Sequence, residues 1–300
     1  MKRLACLLLV LPLMACTPAV DDSAITVDNC GQTVTFDAPP ERVALIDSAP
    51  VATLDALDLL DRVVTRAGVF PPEYYSAATN ERLAEIPSLT DRIDATGHLL
   101  ISVESIVAAE PDLVLGSTDT VNRATLASAG INNLDEPAYC GALDGEASFE
   151  DVYQQVHLLS TVFGTQAAGD AVVDKLRERV AGQIARVPAG ESRSVAVLYP
   201  SIGSGVTYAY GTGSMSHPLV SAAGLRNVFA DSTERVFEVS AEEIIARQPD
   251  VILALYTAGP APDVTIPGVD AQVVPLLLNF AEPPTPLAVD GLTQLLDALA

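Results

Sequence analysis

The sequence predicts an α/β protein in which two similar α/β lobes are joined by one long, rigid α-helix and leave a ligand cleft between them. In both halves of the 300-residue chain, short apolar runs alternate with segments of helical periodicity, the pattern of a largely parallel sheet covered by helices. A stretch with helical periodicity and no proline separates the halves. A fifteen-residue unit occurs once in each half, which indicates that the two lobes are similar.

The repeated unit occupies residues 102–116 and 240–254, which match at seven of fifteen positions without a gap. Each copy predicts a helix capped by serine, a Pro-Asp pair that ends the helix, and a buried strand. Each lobe should therefore contain the same unit. In such folds ligands bind near the carboxyl ends of the strands, and we expect the cleft there.

The elements follow in chain order, as a first lobe (25–147), a connecting long helix (148–190) and a second lobe (191–300). The first lobe is predicted to have a hairpin at 25–36, strands at 43–46, 63–69, 113–115 and 131–134, and helices at 49–60, 103–110 and 121–129. In the connecting helix apolar residues recur every three or four positions, and Ser148 with Asp151 resembles a capping box. The second lobe is predicted to have strands at 195–199, 207–210 and 251–255, and helices at 218–223, 241–247 and from 289.

The N-terminus predicts export. Lys2 and Arg3 precede an apolar run that is too short for a permanent membrane span. The following Leu-Met-Ala-Cys resembles a bacterial lipobox, so residues 1–16 would be a signal peptide, Cys16 the lipidated residue and 17–24 a tether. The alternative is an ordinary secretory signal with an incidental cysteine.

Cysteine usage agrees with export. Cys6 would leave with the signal peptide and Cys16 would carry the lipid, which leaves Cys30 and Cys140. Two thiols in an exported chain most simply form one disulfide. Two reduced thiols are the alternative, and a metal site is disfavoured because neither cysteine has a second ligand at metal-binding spacing.

The charge is strongly negative. Without Lys2 and Arg3 the chain has 14 basic and 39 acidic residues, a net charge of −25. This argues against nucleic acids and other polyanions as partners. It permits neutral or cationic ligands and basic protein surfaces.

Three segments, together with the repeat, carry a resemblance to a known family. They are Pro-Glu-Arg-Val-Ala-Leu at 40–45, Tyr-Gly-Thr-Gly-Ser-Met at 210–215 and Ala-Gly-Leu-Arg-Asn-Val-Phe at 223–229. The chain resembles the periplasmic binding proteins for siderophores, haem and vitamin B12. The resemblance implies a substrate-binding lipoprotein on the outer face of the cell membrane, with an ABC permease dimer and its cytoplasmic ATPase as partners.

The resemblance also implies two docking residues. In the family an acidic residue opens each Pro-Asp unit and meets arginines of the permease, and the matching positions here are Glu104 and Glu242. Charge attraction would steer this encounter. The alternative is that both glutamates only stabilise the helix dipole.

The candidate ligand-binding residues lie on or near loops that follow predicted strands. Aromatic faces would cover the organic shell of a metal chelate, and arginine would donate to its oxygens. The candidates are Tyr74, Tyr75, Thr118, Tyr199, Tyr208, Tyr210, Met215, His217, Arg235 and Tyr256, with Asp47, Ser48 and Ser117 beside them.

A ferric siderophore is the expected ligand, and no intrinsic cofactor is expected. Haem, with His98 or His217 as an axial ligand, and cobalamin are the alternatives. His157 falls within the long helix and is expected to be structural. A bare-ion site needs several converging ligands, which three scattered histidines do not provide.

No enzymatic motif is persuasive. The sequence has no G-x-S-x-G elbow, no H-E-x-x-H and no P-loop. A secreted hydrolase that uses Ser214 or Ser216 with His217 is a distant alternative, because adjacent residues rarely form a productive pair. A structural lipoprotein would not need two matched acidic residues around a cleft.

Overall fold

The computed structural model of the protein describes residues 24–94, 98–141, 143, 145–188, 190, 192–200 and 206–300. The signal peptide, Cys16 and all but the last residue of the predicted tether lie outside the described residues. No helix in the described part of the chain is both long and apolar enough to cross a membrane.

Strands and helices alternate along most of the described chain, as the sequence predicts. The strands are β1 (Ile25–Asn29), β2 (Gln32–Phe36), β3 (Val43–Leu45), β4 (Val63–Arg66), β5 (Leu113–Leu115), β6 (Asn132–Leu134), β7 (Ser194–Pro200), β8 (Thr207–Tyr210), β9 (Arg226–Asn227), β10 (Val236–Val239), β11 (Val251–Tyr256) and β12 (Gln272–Leu277). The helices are α1 (Val51–Ala56), α2 (Ala77–Glu85), α3 (Val103–Val107), α4 (Arg123–Ala127), α5 (Phe149–Val162), α6 (Gln166–Ile184), α7 (Ser216–Ala222), α8 (Ala241–Arg247) and α9 (Leu287–Leu299).

Two separate sheets organise the two halves of the chain. The first has the order β4-β3-β5-β6 and is entirely parallel. The second has the order β10-β8-β7-β11-β12, with β9 paired to β7. It is mixed, because β8 runs antiparallel to both of its neighbours, β7 and β10, while the other pairs are parallel. The α/β class is therefore confirmed.

The repeated unit anchors the centre of each sheet in the same way. Asp112 accepts the backbone N–H groups of Glu41 and Arg42, at 2.8 and 3.0 Å, just before β3. Asp250 accepts the N–H and the hydroxyl of Ser194 at the start of β7, at 2.7 and 2.6 Å. In both copies the aspartate ties the strand that follows it to the neighbouring strand, which explains why the Pro-Asp pair recurs.

The prediction of one long, rigid connecting helix is wrong. The segment forms α5 and α6, because Gly164 adopts a φ of +68° and ends the first helix. The N–H of Thr165 then donates to the carbonyl of Ser160 at 2.7 Å, which satisfies the end of α5. The predicted capping box at Ser148 and Asp151 is present.

Helix α6 packs between α5 and α9. Against α5 the approach is close, since a Cβ at Gly169 would lie 2.3 Å from the hydroxyl of Ser160. Against α9, Arg179 pairs with Asp290 and Arg186 with Asp297. Helix α5 in turn packs on β1 and α1, so the helix pair holds the two halves together along its length.

A disulfide joins Cys30 to Cys140, the two cysteines that the sequence analysis pairs, across a separation of 110 residues. It fastens the hairpin β1-β2 to the segment that follows β6. Nearby, the side-chain amide of Asn29 donates to the carbonyl of Asp135 at 2.9 Å, and its oxygen accepts the N–H of Asp135 at 2.8 Å. Residues 135–140 are therefore held at both ends.

We expect Gly169→Ala to lower the free energy of unfolding by about 1–3 kcal/mol, because the added methyl group overpacks the contact with Ser160. Gly182→Ala on the same helix is the control, since nothing lies within 4 Å of its Cβ position. It should raise stability by about 0.5–1 kcal/mol through helix propensity. Chemical denaturation measures both, and equal effects of the two changes would contradict the close packing.

Candidate functional site

The two halves meet at a surface that we call the junction, formed by residues 47–48, 74–75, 135–139, 146–147, 212–217, 235, 257 and 279–282. The phenol of Tyr74 donates to the carbonyl of Thr257 at 2.8 Å, and the amide of Asn279 donates to the hydroxyl of Ser48 at 3.0 Å. The N–H of Ala147 donates to the carbonyl of Thr212 at 2.9 Å. Ser48 and Thr257 follow β3 and β11, so carboxyl ends of strands from both sheets reach the junction.

Tyr74 and Tyr75 bring the first half to the junction. Tyr74 is buried and packs edge-on against Phe280, with 5.9 Å between the ring centroids. Tyr75 donates to the carbonyl of Ser48 at 2.8 Å. Burial raises the pKa of both phenols, so they remain neutral hydrogen-bond donors at neutral pH.

The predicted tyrosines of the second half lie on neighbouring strands. Tyr199 faces Tyr208 across the β7-β8 ladder, and Tyr210 lies two residues further along β8. The hydroxyl oxygens of Tyr199 and Thr257 are 2.9 Å apart. Thr257 directly follows Tyr256, the last residue of β11. Burial raises the pKa of Tyr210, and the charge of Glu282 contributes to this shift. All four phenols therefore belong to one region around β7, β8 and β11.

Thr118 lies in a local turn after β5, in the first half of the chain. Its hydroxyl accepts the N–H of Val121 at 2.9 Å, and the neighbouring Ser117 donates to Asp135. Nothing in the described residues joins Thr118 to the second half of the chain.

Glu282 is the best-partnered polar group of the junction. It is 0% exposed and lies after β12. Its carboxylate accepts hydrogen bonds from the hydroxyl of Ser214, from the N–H of Ser216 at 3.1 Å and from Nη1 of Arg235 at 3.2 Å. Burial raises its pKa, while Arg235 opposes that shift. The predicted Arg235 is thus fixed in place by a carboxylate that the sequence analysis did not select.

Three carboxylates, Asp47, Glu136 and Glu282, form a charged cluster within the junction together with the guanidinium of Arg235. Asp47 follows β3 and accepts the N–H of Ala49 at 2.8 Å. Glu136 follows β6 and is 5% exposed. Burial raises the pKa of Asp47, Glu136 and Glu282, and the charges of Asp47 and Glu282 raise that of Glu136 further. These carboxylates therefore lie within electrostatic range of one another.

Tyr139 closes the cluster from the first half. The guanidinium of Arg235 lies over its ring, 5.3 Å from the centroid, so this contact joins the two halves. About half of the surface of Tyr139 is exposed. Burial of its hydroxyl and the negative charges of the three carboxylates nevertheless raise the pKa of Tyr139 well above the ordinary value. Sequence reasoning missed Tyr139, Glu136 and Glu282, although the disulfide partner Cys140 pointed to this segment.

Met215 and His217 lie beside the cluster. Met215 is fully buried and packs in a hydrophobic cluster with residues of both halves. His217 is 8% exposed; its Nε2 donates to Glu146 at 3.2 Å, and its Nδ1 has no partner among the described residues. The ligand-binding roles of these two residues and of the other candidates remain predictions.

The remaining histidines lie outside the junction. His98 is exposed beside Asp94, and His157 lies on α5 beside Asp170. In the described residues no group of three or more histidine, cysteine, aspartate or glutamate side chains is placed to hold a metal ion.

We expect Glu136→Gln to stabilise the protein more at pH 8 than at pH 4. The raised pKa of Glu136 means that its favourable contribution is complete below the unfolded pKa, about 4.3. It is then lost as the pH rises through the folded pKa. Glutamine avoids this loss, so the stability difference from the wild type should grow with pH in chemical denaturation. Glu81→Gln on the exposed surface of α2 is the charge control, and a pH-independent difference for Glu136→Gln would contradict the burial argument.

Comparison with known proteins places this geometry in context. A cobalamin-binding protein of Halobacterium salinarum is 27% identical over 292 residues, which cover 90% of this chain and 72% of that protein. An uncharacterised ABC transporter substrate-binding lipoprotein of Bacillus subtilis is 22% identical over 241 residues, which cover 76% of this chain and 68% of that protein.

A solved structure is more similar in sequence. The crystal structure of an ABC-type Fe³⁺-hydroxamate transport system from Saccharomonospora viridis is 48% identical, with a TM-score of 0.85. The match covers 92% of this chain and 98% of that one. A model of the periplasmic binding protein family matches residues 43–260. Because this match spans well over half of the chain, the protein belongs to the periplasmic binding protein family, as the resemblance to binding proteins for iron chelates, haem and vitamin B12 predicts.

Proposed function

We propose that the protein captures a ferric siderophore of the hydroxamate class and delivers it to the permease of an ABC importer. The observation that carries the proposal is the 48% identity, over nearly the whole chain, to a protein whose structure is described as an Fe³⁺-hydroxamate transport system. The alternative is a cobalamin ligand, which the Halobacterium salinarum relative favours.

In this proposal the two halves are the two lobes and the junction is the ligand cleft. Arg235 is the central donor. Among the described residues it donates one hydrogen bond, from Nη1 to Glu282, and its side chain is 29% exposed. Its other N–H groups are available for the hydroxamate oxygens of a chelate, which charge-assisted donors bind strongly. Tyr199 and Tyr208, which face each other on β7 and β8, supply half-buried aromatic faces.

Little lobe closure accompanies binding in this proposal. Helix α6 is fixed to α5 by the Gly169–Ser160 contact and to α9 by the ion pair of Arg179, with that of Arg186 just beyond its end. A hinge motion of the lobes would have to break these contacts. The pair α5–α6 thus takes the role that the sequence analysis gave to a single helix.

Delivery depends on Glu104 and Glu242 in this proposal. Each lies in the first turn of the repeated helix, α3 or α8, and is exposed. Neither takes part in an ion pair within the described part of the chain, so both charges are available to a basic partner. Hydrogen bonds from its own N–H and from the Ser102 hydroxyl hold the pKa of Glu104 below its ordinary value.

The anchor belongs to the proposal as well. The Leu-Met-Ala-Cys sequence ending at Cys16, together with the Bacillus subtilis relative described as a lipoprotein, supports a lipid-anchored protein on the outer face of the membrane. Residues 17–24 would then tether the first lobe, 25–147, to the bilayer.

The ligand class is tested by calorimetric titration of the soluble chain with a ferric trihydroxamate, a ferric catecholate, haemin and cobalamin. We expect tight binding of the trihydroxamate, and about 10- to 150-fold weaker binding after Arg235→Gln with Glu282→Gln, because one charge-assisted hydrogen bond contributes about 1.5–3 kcal/mol. Glu282→Gln alone is the control, since it keeps the guanidinium. Binding of cobalamin or haemin only would replace the proposed ligand.

Docking is tested by Glu104→Arg with Glu242→Arg. We expect loss of ligand uptake by whole cells, because the basic pockets of a permease would repel the new arginines, with an unchanged dissociation constant for the ligand in solution. Glu81→Arg with Glu178→Arg makes the same charge change at exposed positions elsewhere and should leave uptake intact. Normal uptake by the Glu104/Glu242 variant would overturn the docking assignment.

A further inference from the structure

The carboxylate of Glu136 is incompletely satisfied inside the protein. Its side chain is 5% exposed, and the N–H of Ala138 donates to it. Its other oxygen, Oε1, is buried without a hydrogen-bond partner in the described residues. A buried carboxylate oxygen without a donor is costly and uncommon in folded proteins. Such an atom at the meeting point of two halves indicates a group whose partner comes from outside the chain.

Arg235 and Arg123 each pair with a carboxylate other than Glu136. Arg235 pairs with Glu282 at 3.2 Å, and Arg123 pairs with Asp135 at 2.9 Å. Asp47 and Glu282 add negative charge in the range of Glu136 instead of neutralising it. Glu136 is therefore a buried acid that has no positively charged partner among the described residues.

The backbone prevents Glu136 from relaxing away from this position. The N–H of Tyr139 donates to the carbonyl of Glu136 at 2.9 Å, and Asn29 holds Asp135 on the other side. The disulfide at Cys140 fixes the end of the same short segment. The site is preorganised: folding, rather than ligand binding, supplies the free energy that keeps the buried carboxylate in this position.

We propose that Glu136 receives a protonated amine of the ligand, so that the junction selects ammonium-bearing ferric hydroxamates over neutral and anionic chelates. This inference rests on the proposed function of the same site. An ammonium supplies the donors that Oε1 lacks and compensates the excess of negative charge, whereas an anionic catecholate chelate is repelled by all three acids.

The test uses two probes that differ by one charge. Ferric desferrioxamine B carries a free ammonium group, and its N-acetylated form is the same trihydroxamate chelate without that charge. Dissociation constants for both are measured by calorimetry at pH 7 with the wild type, Glu136→Gln and the charge control Glu81→Gln. Thermal unfolding and far-UV circular dichroism verify that each variant is folded.

We expect the wild type to bind the ammonium form at least about 10-fold more tightly than the acetylated form, which corresponds to about 1.4 kcal/mol. Glu136→Gln should bring this ratio to about one, and Glu81→Gln should keep the wild-type ratio. Equal affinities in the wild type, or an unchanged ratio in Glu136→Gln, would overturn the role of Glu136 and leave the hydroxamate proposal standing. Binding of neither chelate would refute the proposed function and the inference together.

Discussion

The pairing of two central strands in each sheet, fixed by an aspartate at the foot of the pair, is the constraint on which the remaining structure depends. Asp112 ties β5 to the start of β3, and Asp250 ties β11 to the start of β7. Because both pairs are parallel, their carboxyl ends emerge together, and the loops beyond them form one surface in each half. The aromatic and acidic residues of the junction come from these loops and from the segments that follow β4, β6 and β12.

The elements that depend on local signals are predicted well from the sequence. Helix α8 has the predicted bounds, Ala241–Arg247, because a serine cap and a Pro-Asp stop delimit it within the chain itself. Helix α2 was not predicted, since only Thr79 and Leu83 are buried in a largely polar segment and the periodicity is weak. Strand β12 was hidden by Pro275; it is an edge strand, where a missing N–H is tolerated.

The residues of the candidate site also differ in whether local sequence signals predict them. Arg235 and the tyrosines are residue types that commonly bind ligands, so their position on or near loops after strands is enough to predict them. Glu136 and Glu282 look like two of many acidic residues in a chain with 39 of them. Their burial arises only where the halves meet, through partners such as Ser214, which lies 68 residues from Glu282. The sequence likewise does not mark the break at Gly164 clearly, because apolar periodicity continues through both helices.

The disulfide determines in which compartment the candidate site reaches its final shape. It fastens the short segment that contains Glu136 and Tyr139 to the hairpin, and these two residues belong, with Asp47, to the first-half side of the charged cluster. A chain that remains among cytoplasmic thiols keeps both cysteines reduced, and this segment then lacks its covalent fastening. In the proposed function, the oxidising exterior of the cell thus completes the shape of the site in the compartment where the ligand is captured.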